Sequence, residues 1–145
     1  MSRRDFWLLL AHLQQDGLSI VMTTPYLDEA ERCQRVAMMN RGRLLAIDDP
    51  NTLRETFPHV VIELLATPRR TAVTILRQRA DISHVEAFGE RLHVFLPRGE
   101  DKSIELLIED LRSQGIEVSS CRRVTPSLED VFIARISEVE EEGEA

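Results

Sequence analysis

The 145 residues leave room for one ordinary domain or two small units, which excludes a complete large nucleotide-driven enzyme. Hydrophobic residues make up 43% and charged ones 30%, a globular composition that excludes wholesale disorder. Eighteen Lys and Arg against 25 Asp and Glu give a formal net charge of -7, a balance that disfavours nucleic acid as a partner. Glu138, Glu140, Glu141, Glu142 and Glu144 crowd the C-terminal end, so the rest of the chain is nearly neutral and this end reads as a solvated, frayed tail.

Ser2 is placed to cap a helix in which Phe6, Leu9, Leu10 and Leu13 recur at helical spacing until Gly17 stops it. Arg3 and Arg4 before Phe6–Leu10 imitate a leader peptide, but His12, Gln14, Gln15 and Asp16 interrupt the run, which is too short to span a bilayer. Residues 18–22 are a continuous apolar stretch, the pattern of a strand covered on both faces as in a parallel sheet. Thr23, Thr24 and Pro25 close it. Residues 28–33 read as a helical segment with early acids, and residues 35–39 and 43–47 as a hairpin around Asn40, Arg41 and Gly42. Asp49, Pro50 and Asn51 announce a short helix through Thr56.

Pro58 opens a different regime, so a boundary is expected near Phe57. Residues 59–66, 83–88, 91–96 and 117–124 read as strands, and 68–80 and 102–114 as helices, giving the order β-α-β-β-α-β. Ile104, Leu107, Ile108 and Leu111 stripe one helix ahead of Gly115, and Ala72, Val73, Leu76 and Ala80 stripe the other. Two such helices on one face of four strands predict a ferredoxin-like sandwich. Ser127 then caps a helix carrying Leu128, Val131, Phe132 and Ile136, expected to pack back on the sandwich or on the first segment.

Motifs that carry chemistry are scarce. The phosphate-binding pattern G-x-x-x-x-G-K-[ST] is absent, the six glycines are scattered, and the single lysine, Lys102, follows Asp101 rather than a glycine. Asp48 and Asp49 after an apolar strand imitate a magnesium-binding acid, but the Pro50-Asn51 that follows makes Asp49 a helix cap. His12, His59, His84 and His93 share no motif, and Cys33 and Cys121 have no patterned base or metal partner, so no catalytic residue and no metal ligand is predicted. Both cysteines read as reduced thiols. Arg69, Arg70, Arg77 and Arg79, with Arg122 and Arg123, read as solvated faces rather than an anion site, and Met38 and Met39 as core filler.

Four stretches taken in order resemble a known family: residues 2–7 (Ser-Arg-Arg-Asp-Phe-Trp), residues 19–33 (Ser-Ile-Val-Met-Thr-Thr-Pro-Tyr-Leu-Asp-Glu-Ala-Glu-Arg-Cys), residues 35–46, and residues 125–132 (Thr-Pro-Ser-Leu-Glu-Asp-Val-Phe). They resemble the C-terminal portion of the ATP-binding subunit of a bacterial ABC exporter of the multidrug and polysaccharide export type. The resemblance covers nearly the whole chain. It implies an α/β segment followed by an α+β one. Residues 1–57 would be the incomplete end of an ABC ATPase core of P-loop NTPase fold, residues 58–137 a ferredoxin-like accessory domain, and residues 138–145 an acidic tail.

The resemblance also implies that the phosphate loop, the signature motif and the magnesium-binding strand precede this chain, which would then be a fragment. ATP and magnesium would be cofactors of the complete family member and not of the isolated chain, whose own hydrolysis is expected to be nil. Partners implied are a transmembrane permease subunit and a second ATP-binding subunit, on the cytoplasmic face of the inner membrane. Pro25, flanked by Thr24 and Tyr26, stands where the family usually has its switch histidine; proline offers no side-chain donor or acceptor and no backbone N–H. Two rival readings are a free-standing ferredoxin-like ligand-binding or dimerisation module and a small enzyme with an unrecognised site.

Overall fold

The computed structural model describes residues 2–99 and 103–144; Lys102, the expected first residue of the second sandwich helix, lies outside the described residues. Helix α1 (Arg3–Gln15) starts where the sequence places it, through a capping box: Ser2 Oγ accepts from the Asp5 N–H at 3.2 Å and the Asp5 carboxylate accepts from the Ser2 N–H at 3.0 Å. None of its residues is buried, and Leu8 and Leu9 are about half exposed.

Residues 18–22 form no strand. Val21 is 94% exposed, and Leu18 and Ile20 are exposed as well. The buried parallel strand expected there is thus corrected. A strand needs hydrogen-bonding neighbours, and no described segment of this chain pairs with it.

A short helix α2 (Leu27–Ala30) leads to a hairpin of β1 (Val36–Asn40) and β2 (Arg43–Asp48), paired antiparallel as a separate two-stranded sheet. Its turn needs positive φ at two positions, and Arg41 at +48° and Gly42 at +77° supply it; Asn40 stays in β1. Asp49 then caps α3 (Pro50–Glu55), its Oδ1 accepting from the N–H groups of Asn51 and Thr52 at 3.0 and 3.1 Å, with Pro50 at the first helical position.

The rest alternates as β3 (His59–Thr67), α4 (Arg69–Arg77), β4 (His84–Phe88), β5 (Arg91–Pro97), α5 (Ser103–Ser113) and β6 (Glu117–Val124), followed by α6 (Leu128–Glu144). The four strands make one antiparallel sheet in the order β4-β5-β3-β6, so the two strands joined by α4 flank β5, and β6 crosses over to the far side of β3. The whole is a mixed α and β architecture with antiparallel sheets. Helix α4 ends at Arg77, three residues short of Ala80, which is exposed. Helix α6 continues through Glu144 into the acidic end where a frayed tail is expected.

Both faces of the four-stranded sheet are covered. On one, Val60, Ile62, Leu64 and Ala66 of β3 and Leu92, Val94 and Leu96 of β5 pack with Ala72 and Leu76 of α4 and Leu107 and Leu111 of α5. On the other, Val61 and Phe95 meet Leu128, Val131 and Ala134 of α6, and with them Ala30, Val36, Met38, Leu53 and Phe57 from the first part of the chain. This is why β3 is buried continuously at Val60, Val61 and Ile62 instead of alternating. Each fully buried Leu or Phe contributes roughly 1.5–3 kcal/mol by leaving water.

Candidate functional site

Thr24, Pro25 and Tyr26 form the turn ahead of α2. Thr24 Oγ accepts from the Tyr26 N–H at 3.0 Å and donates to Glu29 at 2.7 Å, and Arg3 of α1 reaches both Glu29 at 2.9 Å and Asp28 at 3.0 Å. Arg32 lies 5.6 Å over the Trp7 ring. Thr24 is therefore spent on pinning the turn to α2, and Arg3 ties α1 to α2. Pro25 and Tyr26 are exposed, Tyr26 at 63%. The turn as built does not fit a magnesium-bound triphosphate: the Thr24 hydroxyl is engaged, Pro25 has no donor, and the carboxylates of Asp28 and Glu29 stand beside it. Among the described residues no group of three or more His, Cys, Asp or Glu is placed to hold a metal ion.

A second polar constellation joins residues far apart in sequence. Asp130 on α6, buried with 0% exposure, accepts at one oxygen from His93 Nδ1 of β5 at 2.6 Å. Its other oxygen accepts from both the N–H and the hydroxyl of Ser127 at 2.8 Å, while Ser127 Oγ accepts from the Asp130 N–H at 3.1 Å. The far edge of the imidazole, Nε2, is 3.8 Å from Glu63 of β3, and Glu63 itself is gripped by Arg91 at 2.7 Å and by Arg122 at 2.7 Å. The ring of Phe88 lies tilted against that of His93, their centroids 4.6 Å apart.

The charges follow from these contacts. The hydrogen bond to Asp130 holds the His93 pKa above its ordinary value against the opposing effect of burial. Burial pushes Asp130 up, but the hydrogen bonds from His93 and Ser127 outweigh it and leave the carboxyl below its ordinary range. The hydrogen bonds from Arg91 and Arg122 bring Glu63 down to about 2. Ser127 contacts the carboxylate and not the imidazole, so the trio is not arranged as a nucleophile with its base.

His93 has no motif around it in the sequence, and its partners sit 30 and 37 residues away; only strand register and the docking of α6 bring them together. Ser127 as a cap is legible, and Asp130 three residues later completes a capping box. The other candidates separate into structural roles. Arg79 bridges Asp81 and Asp110 beyond the end of α4. Met38 is buried as core filler while Met39 is 59% exposed. Asp49 caps α3. Cys33 and Cys121 are free, half-buried thiols whose burial raises their pKa. His84 faces Glu86 at 3.2 Å, and His12 meets the Leu8 carbonyl at 2.8 Å.

No family model matches the chain. Known proteins do. Over 137 residues, 92% of its length, it is 29% identical to the probable multidrug ABC transporter ATP-binding protein YbhF of Escherichia coli K12 and spans 22% of that protein. It is 31% identical over 91% of its length to the Nod factor export ATP-binding protein I of Rhizobium sp. strain N33, and 25% identical over 91% to the daunorubicin resistance ATP-binding protein DrrA2 of Streptomyces coeruleorubidus. It spans 41% and 42% of those two proteins, under half of each. Over 91–92% of its length, then, the chain is homologous to a portion of ABC transporter ATP-binding proteins.

Proposed function

We propose that this chain serves as part of an ATP-binding subunit of an ABC exporter, completing an ATPase core whose phosphate loop, signature and magnesium-binding strand come from other sequence. The observation that carries the reading is the match along nearly all of this chain to proteins more than twice its length. The chain holds no phosphate loop of its own. Residues 1–57 would join the core, residues 58–137 would be a ferredoxin-like accessory domain, and residues 138–145 an acidic extension. The strand order β4-β5-β3-β6 with α4 and α5 on one face supports the second assignment.

The exposed apolar residues Leu18, Ile20 and Val21 support the first. An exposed apolar run of this composition would become a covered strand if the parallel sheet of an ATPase core supplied its neighbours. In that assembly ATP and magnesium would be held by the added motifs, with phosphoryl transfer resting on positioning and charge neutralisation there. Pro25, between Thr24 and Tyr26, would leave the usual switch-histidine contact unmade. Export would further require a transmembrane permease subunit and a second ATP-binding subunit, at the cytoplasmic face of the inner membrane; no helix among the described residues is long and apolar enough to cross a membrane. The names of the relatives support the transport role, multidrug and Nod factor export among them.

Calorimetric titration of the chain with magnesium-ATP tests the reading. No binding is expected from the chain alone, and binding with turnover is expected when an ATPase portion carrying the phosphate loop and signature is co-expressed with it. Tight binding and hydrolysis by the chain alone would overturn it and would favour an enzyme with an unrecognised site. A free-standing module would instead ignore the added portion.

A further inference from the structure

Helix α6 is the element that holds the two sheets together. Its apolar residues share one buried cluster with Val61 and Phe95 of the four-stranded sheet and with Val36, Met38 and Leu53 of the hairpin and α3. Only one charged or polar residue is fully buried among the described residues, and it is Asp130, in the first turn of that helix. We propose that Asp130 and His93 form a proton-dependent latch that sets how firmly α6 clamps the β1–β2 hairpin onto the four-stranded sheet. This inference does not rest on the ATP-binding reading.

The geometry gives the latch its mechanism. A buried carboxylate is tolerated only while its oxygens are satisfied and its charge is opposed. Ser127 satisfies one oxygen with two hydrogen bonds from within α6's own cap, and these do not titrate. The opposing charge comes from His93 across the interface, at 2.6 Å, as the imidazolium. Neutral His93 keeps an N–H donor for Asp130 but withdraws the cation, leaving the buried carboxylate to the Ser127 hydrogen bonds and the helix N-terminus alone.

Other groups face the imidazole without replacing that cation. On β3, Glu63 lies 3.8 Å from Nε2 and favours the protonated ring, though Arg91 and Arg122 already neutralise it. On β4, Glu86 is the cross-strand partner of His93 and is engaged with His84, while Phe88 contributes an uncharged ring. Further along α6, His59 of β3 lies 3.9 Å from Glu138 with Arg135 nearby, and burial lowers its pKa. His59 therefore titrates below the ordinary histidine range and His93 above it, so the two are separable on the pH axis.

The sign follows from linkage. A histidine whose pKa is raised on folding adds stability that is complete below the unfolded value of about 6.5 and lost as pH rises through the folded value. The test is amide exchange of the whole chain, corrected for the intrinsic pH dependence, with the imidazole titration of His93 followed by NMR. His93 is expected to titrate above 6.5, and protection of residues 128–136 and 36–38 is expected to fall in step, by roughly tenfold for each unit of pKa shift. His93→Gln, which keeps a donor but cannot charge, is expected to flatten that slope, and Asp130→Asn to return the His93 titration toward its ordinary value. A His93 titration at or below 6.5, a flat wild-type profile, or an undiminished slope in His93→Gln overturns the latch. Should His93→Gln not fold, the wild-type titration and exchange profiles decide the matter by themselves.

Discussion

Glu63 sits at the wet end of the sheet face that α6 covers, where Arg91 and Arg122 from the two neighbouring strands close on it from either side. These contacts hold its pKa near 2, so its contribution to stability is present above about 4.5 and disappears as pH falls through about 2. Acid unfolding followed by circular dichroism should accordingly show Glu63→Gln losing the steepest part of the wild-type response between pH 4.5 and 2; coincident curves would show that the arginine grip does not stabilise the fold. Pro25 makes a prediction of another kind. If it occupies the switch-histidine position in an assembled ATPase, Pro25→His in the co-expressed complex should raise the turnover rate by about tenfold or more, because a positioned imidazole adds at least that much where a proton must be held or moved. Equal rates would mean that the turn at residues 24–26 stays clear of the reacting phosphates.

At the scale of elements, helix ends and turns were legible in the sequence because their chemistry is local. Ser2, Asp49 and Ser127 cap where they are expected to, and Gly115 ends α5 with φ +79°, a conformation that costs a side chain about 1 kcal/mol. Gly115→Ala should lower the thermal midpoint by a few degrees, measured by calorimetry, although a Cβ at this position meets no neighbouring atom; an unchanged midpoint would show that the left-handed turn is not needed. The 18–22 segment was not legible, for a physical reason. An apolar run records that a segment is meant to be covered, whereas a strand exists only when its hydrogen-bonding neighbours are present, and the sequence of the run is silent about who supplies them. Val21 at 94% exposure illustrates the gap. Val21→Asp should leave stability within about 0.5 kcal/mol, as an exposed substitution does, while raising the concentration at which the isolated chain stays monomeric. Light scattering reads the second effect, and unimproved solubility would detach this segment from any role in association.

For the whole molecule, the β-α-β-β-α-β order was readable from the periodicities, but the way the first part of the chain joins it was not. The residues that cross between them, Val36, Met38, Leu53 and Phe57 against Val61, Phe95 and Leu128, lie on five different elements and, at Phe57, on the link between α3 and β3, and carry no shared pattern in sequence. For the same reason His93 and Asp130 could not be paired in advance: each is unremarkable locally, and their meeting depends on β5 register and α6 docking together. The packing divides the described residues unevenly. From Ala30 onward the chain shares two cores on either face of one sheet, while α1 and the segment to Tyr26 are fastened mainly by Arg3 to Asp28 and Glu29 and by Arg32 over Trp7. Leu64→Ala in the centre of the larger core should cost about 2–5 kcal/mol and unfold both faces together in a single denaturation transition, since β3 serves both.

On the proposed reading, residues preceding α2 gain their covering from sequence outside this chain, while the body that follows is cooperative by itself. Amide hydrogen exchange on the chain alone, resolved by peptide, separates the two parts. Near-random-coil exchange is expected for residues 18–26 and weak protection across α1, with β3 and β5 exchanging only through global unfolding. Equal protection of residues 3–22 and of the β3–β5 pair would contradict it.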